Sequence, residues 1–151
     1  MDSLLILEPE LVQRLKARFA ATKPAVHVLT AADLADVVEE KQLTPAVHLV
    51  YQGSRVLEHR ADKKMARIEQ TWLAVVSVRN VRSTRTGADA RADAGSLAGT
   101  VLLELLGWQP PSATKPLTLT NAPAARFSGG HQYLPLAFTG ELVLGQRRAA
   151  A

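Results

Sequence analysis

One stretch constrains this chain more than any other. From about Met65 to Val81 the side chains alternate with a period of two, the signature of a β-strand. One face reads Ala66, Ile68, Gln70, Trp72, Ala74, Val76 and Val78. The other reads Met65, Arg67, Glu69, Thr71, Leu73, Val75, Ser77 and Arg79. The second face is polar at its ends and apolar in the middle. That pattern predicts a long strand that projects beyond its sheet. Such a strand needs paired neighbours on both edges and a cover over its apolar face.

Helices can supply the cover. Glu8-Pro9-Glu10 opens one, since proline suits the first helical turn and acids suit the positive end of the dipole. Leu11, Leu15 and Phe19 then recur at helical spacing to about Thr22, and Pro24 cannot continue the helix. The second strong helix spans about Ala90 to Leu106. Its stripe is Ala90, Ala94, Leu97, Ala98, Val101, Leu102 and Leu105, with Gly107 as C-terminal cap. Gly95 and Gly99 interrupt that helix, each at a cost of up to ~1 kcal/mol against alanine, tolerable if a strand or helix packs closely there. A weaker helix is expected from Ala31 to about Lys41, its acids Asp33, Asp36, Glu39 and Glu40 forming a wet face.

Neighbouring strands come from Val26–Leu29, from Ala46–Gln52 and, after a turn at Gly53-Ser54, from Val56–His59. Further short strands are expected at Leu117–Thr120 and Ala124–Phe127. Tyr133–Leu144 reads as the last strand, placed by Pro135 at an edge or a strand start. Arg60 to Lys64 reads as a charged hairpin tip, Arg82 to Asp89 as a mobile loop and 145–151 as a tail. The expected fold is one α+β domain over 1–151, with a mostly antiparallel sheet and two main helices packed on one face.

Composition limits the chemistry. The chain has 151 residues, 47% hydrophobic and 21% charged, an ordinary globular balance for a single core. Cysteine is absent, which excludes disulfide frameworks, thiolate zinc sites and cysteine nucleophiles. No apolar run approaches the roughly 20 residues of a membrane span. Met1-Asp2-Ser3 carries an acid where a signal peptide has a base, and Leu4–Leu7 is too short for its apolar region. Lysine and arginine number 18 against 14 acids, a net charge of +4 that permits nucleic-acid contact without demanding it. Aromatics are 5%, so stacking platforms for single strands are scarce.

No catalytic constellation emerges. Phosphate-binding and dinucleotide-binding glycine motifs are absent. Gly95-Ser96-Leu97-Ala98-Gly99 mimics a nucleophile elbow but has Leu97 at its centre. His27, His48, His59 and His131 never pair at a spacing that puts two ligands on one face, so no metal is expected. Ser128-Gly129-Gly130-His131 reads as a turn, and Trp72 and Trp108 read as core or core-edge residues. No cofactor is expected, and the chain is read as no enzyme.

The helix and its exit carry a recognisable pattern: Ala94-Gly95-Ser96-Leu97, Val101, then Leu105-Leu106-Gly107-Trp108-Gln109-Pro110. Upstream stand Pro45-Ala46-Val47-His48-Leu49-Val50-Tyr51 and the strand around Trp72; downstream stands a closing strand with Leu136-Ala137-Phe138. The arrangement resembles the tail terminator proteins of long-tailed bacteriophages. It is most similar to the branch in Mu-like phages, contractile-tailed prophages and phage-tail-like bacteriocins. The resemblance spans nearly the whole chain and implies a structural protein of the virion tail, assembled in the host cytoplasm. It implies a homo-oligomeric ring, expected to be a hexamer, that caps the tail tube, stops its polymerisation and offers a surface for head–tail joining. The implied partners are the tail tube protein, the head-side connector and the last sheath ring, with DNA passing through the lumen. The family carries no catalytic residues to transfer. A head–tail connector or minor tail subunit of related fold is the alternative, and a small basic nucleic-acid-binding domain the more distant one. The candidate assembly interface consists of Arg60, Lys63, Lys64, Arg79, Arg82, Arg85, Arg147 and Arg148.

Overall fold

The computed structural model describes residues 3–31, 41–79 and 88–145, with the side chains of 88–91 excepted. Helix α1 (Leu7–Phe19) is followed by strands β1 (His27–Thr30), β2 (Ala46–His59) and β3 (Met65–Arg79). Helix α2 (Ala88–Leu105) comes next, then β4 (Thr118–Thr120), β5 (Arg126–Ser128) and β6 (His131–Gly145). All six strands form one sheet, ordered β1-β2-β3-β6-β4, with β5 also on β6. Among the described residues only the β1–β2 pair is parallel. The expected α+β class, with its mostly antiparallel sheet, is what forms.

The alternation in β3 decides which face is covered. Ile68, Trp72, Ala74, Val76 and Val78 are buried beneath the helices, as the period of two requires. Val47 and Leu49 of β2 and Phe138 and Leu142 of β6 lie on the same side by register. α1 presents Leu7, Leu11, Leu15 and Phe19 to this core, and α2 presents Ala94, Ala98, Val101 and Leu105. Burying these side chains is the main stabilising term, about 1.5–3 kcal/mol for each large one. The helices are joined by Arg14. Its Nε donates to Glu104 Oε1 at 2.9 Å, and its guanidinium lies 4.9 Å from the Trp108 ring centroid.

Several readings of the sequence change. Gly53-Ser54 is not a turn: β2 runs straight through it as one strand. Gly53 has φ +138, and the register slips between Tyr51 and Gly53, so the glycine accommodates a bulge. Pro135 is not at a sheet edge, because β6 pairs with β3 on one side and with β4 and β5 on the other. The proline falls in the gap between the two short strands, opposite neither. The Glu141 carbonyl is turned outward to Thr114 N at 2.9 Å, so odd-numbered residues of β6 direct their backbone groups away from β3. The N–H that Pro135 lacks would therefore point into the gap, and no ladder bond is lost.

Gly95 and Gly99 meet no packed element, for a Cβ at either would find no atom within 4 Å. Both lie on the exposed side of α2. That helix starts at Ala88, inside the segment expected as loop, and ends before Gly107, whose φ of +79 is the left-handed cap anticipated. Gly145, placed in the tail, is the last residue of β6. The weaker helix expected after Thr30 lies largely outside the described residues.

Candidate assembly surface

β2, β3 and β6 stay paired to one end of the sheet, where they form a three-stranded arm. Its tip is the connection from His59 to Met65, closed by Arg60 N–H donating to the Met65 carbonyl at 2.8 Å. Arg60 does not point to a partner. Its Nε donates to Asp62 Oδ1 at 2.8 Å, Nη2 to Asp62 Oδ2, and Nη1 to the Met65 sulfur at 2.9 Å. Asp62 also accepts from Lys64 N–H at 3.0 Å. The Arg60 hydrogen bond, with the Lys64 amide behind it, holds the Asp62 carboxyl below its ordinary pKa. This side chain is therefore a clasp of the tip. Lys63, at φ +64, and Lys64 are exposed there. A Cβ at Gly145 would lie 2.1 Å from the Lys64 carbonyl oxygen, so only glycine lets β6 end against the tip.

Arg79 is exposed at the other end of β3. Fourteen steps of about 3.3 Å separate it from Met65, roughly 45 Å, so the sequence-predicted cations do not form one patch. It lines a cleft of about 520 Å³ floored by Phe19, Val26, Val78 and Leu97 and rimmed by Arg18 and Asp93. Arg82, Arg85, Arg147 and Arg148 lie outside the described residues.

An ion network on the arm escaped the sequence reading. Glu141, 6% exposed, accepts from Arg67 Nη1 at 3.1 Å and pairs with Lys115 Nζ at 3.1 Å. Arg67 reaches on to Glu58 at 2.9 Å, and Arg55 pairs with Glu69 at 3.3 Å. Burial pushes the Glu141 carboxyl up, but hydrogen bonds from Lys115, Arg67 and Thr114 outweigh it and hold the group below its ordinary pKa. The only sequence signal was a lone acid in an apolar strand.

The sheet face away from α1 and α2 holds a different set. His48, Ser77 and His131 are buried there, and His48 Nε2, Ser77 Oγ and both His131 ring nitrogens make no hydrogen bond among the described residues. His48 lies opposite Val75 and His131 opposite Arg79, so β3 and four register steps separate the two rings. They cannot share a ligand. Among the described residues no three metal-ligating side chains gather, and no helix is long and apolar enough to cross a membrane. Burial pushes the His48 pKa down. The unfolded chain then binds a proton that the folded one refuses, so this residue's contribution is present above pH about 6.5 and lost as pH falls. Urea unfolding at steps from pH 7 to 5 is expected to show a shallower decline for His48→Leu than for the wild type. Identical slopes would assign the decline to other groups.

The surface also carries unusual apolar groups. Leu103 on the outer side of α2 is 85% exposed, and Leu106 beside it is 46% exposed. Val56 on β2 and Val143 on β6 are bare at the two sides of the arm. Exposed apolar side chains grouped on an uncharged helix face or a strand edge mark contact surfaces in assembled proteins.

Comparison with known proteins agrees with a subunit built for contact. The sequence matches the family described as phage tail terminator protein over residues 1–149. The chain belongs to that family. No curated protein matches it. Solved structures do match; one of them has a TM-score of 0.50 and 12% identity, covering 99% of this chain and all of the other, a likeness of fold alone. Tail terminators are structural proteins of the phage tail.

Proposed function

We propose that this tail terminator closes into a ring on the last ring of the tail tube, stops tube growth and presents a surface for joining the head. The family match across 1–149 carries the reading. The projecting arm, the exposed cations Lys63 and Lys64 at its tip, and the bare apolar groups on α2 support it. A ring requires two different surfaces on one subunit, and β2 and β6 border β3 on opposite sides.

The arm carries ion pairs beside its apolar groups, and interfaces of ordinary size, about 1,600 Å², that are partly polar often need high concentration or a template. Monomers are expected in dilute solution and rings on purified tail tubes. Light scattering across a concentration series, with negative-stain microscopy of the protein alone and on tubes, checks this. A stable dimer at every concentration, with bare tube ends, would overturn it.

A further inference from the structure

We propose that in the ring the outer edge of β2 in one subunit pairs with the free end of β6 in the next, joining the arms into one continuous sheet. This deepens the ring reading and rests on it. β1 covers β2 only from Ala46 to Leu49. Among the described residues no strand lies outside β2 from Val50 to His59. On the other side β4 covers β6 only as far as Thr139, and Thr114 takes the Glu141 carbonyl. From Val143 to Gly145 that edge, too, carries no strand among the described residues.

Ladder parity shows which backbone groups are free. Val143 and Gly145 direct theirs outward, like Glu141. Arg67 and Met65 consequently turn toward β2, as the Arg60–Met65 bond confirms for Met65. Through the pairs Val56↔Ile68 and Ser54↔Gln70, Val56 and Ser54 face outward on the far side. Each arm thus has two bare edges that run in the same direction, because β2 and β6 are both antiparallel to β3.

A second copy fits these edges better than any other strand. Repeating one arm around an axis brings each β6 edge beside a β2 edge, and closure leaves no edge exposed. Side chains agree. Val56, 55% exposed, shares a row with Ile68 and Leu142, which are buried. Its outer neighbour is what the free subunit lacks, and the next subunit's Leu142 and Leu144 would supply it. Along the strands the charges are matched internally, with Arg55, Arg67 and Lys115 against Glu58, Glu69 and Glu141, which leaves the exposed Lys63 and Lys64 at the tip. The register slips at Gly53 and Leu57 twist β2, as a curved wall requires.

Hydrogen exchange on wild-type protein, free and assembled on tubes, tests the pairing. The amides of Ser54, Val56 and Val143 are expected to slow about tenfold or more on assembly. Val56→Pro and Val143→Pro each remove an outward N–H that makes no bond to β3. Both are expected to keep the circular dichroism of the free subunit and to lose rings, or to need about tenfold more protein for them. Val143→Thr is expected to assemble normally. Rings whose three amides stay unprotected, or proline variants that assemble like the wild type, would overturn the pairing and leave the ring reading intact. Should the proline variants fail to fold, the wild-type exchange decides alone. Absence of any wild-type ring, alone or on tubes, would remove both.

Discussion

Replacing Trp72 with alanine is expected to cost about 3–5 kcal/mol of folding stability, the range for an aromatic truncated in a packed core. The side chain is 2% exposed at the middle of β3, with the Tyr51 ring 5.2 Å away. Its loss also breaks a polar chain. Trp72 Nε1–H donates to Gln70 Oε1 at 3.1 Å, and Gln70 Nε2 donates to the Leu4 carbonyl at 2.7 Å. Gln70 is fully buried, so its oxygen would be left unpaired. Trp72→Phe separates the two effects. It keeps most of the apolar contact and strands the glutamine oxygen, for an expected loss of about 1–3 kcal/mol. Urea unfolding measures both. A loss under about 1 kcal/mol for the alanine variant would show that the centre of the sheet does not depend on this ring.

The second large effect is expected at Leu105→Ala, at about 2–5 kcal/mol. Leu105 is buried in the last turn of α2, where Arg14, Glu104 and Trp108 bind that turn to α1. The surroundings are thus held from two sides and can collapse little into the cavity. Leu103→Ala, two residues away and almost fully exposed, is expected to stay within about 0.5 kcal/mol. Equal effects at the two positions would mean that the helix presents a different face to the sheet.

Both predictions rest on periodicity, the part of the structure most legible in the sequence. The face of β3 carrying Trp72 and the stripe of α2 carrying Leu105 follow from spacing alone. The failures share a cause: one residue type serves two geometries. Gly-Ser marks a turn or a bulge, and only pairing to Thr71 and Gln70 shows that Gly53 stays in the ladder. Proline argues for an edge, yet Pro135 sits inside a strand because its two outer neighbours leave a gap there. Gly95 and Gly99 left open whether an element packs against them, because what approaches a helix is a tertiary fact. The candidate surface was less legible still. Arg60 reads as a contact cation until Asp62 is seen to hold it, and Glu141 becomes notable only when folding brings it to Arg67 and Lys115.

The central place of β6 has a consequence for the route by which the chain reaches its native state. The β2–β3 hairpin closes through a short tip and can form early. Its other ladder joins residues 52 positions apart, Arg79 and His131, to residues 80 apart, Met65 and Gly145. Ring closure over such separations is entropically costly, and contacts of this range slow folding toward milliseconds or seconds. Because β6 is also synthesised last, β3 emerges from the ribosome with one long flank bare. During that interval the nascent hairpin offers the same backbone template that another copy could seize out of turn. Crowded expression of this protein is therefore expected to favour inclusion bodies over misassembled rings, and slower translation or lower temperature to relieve them.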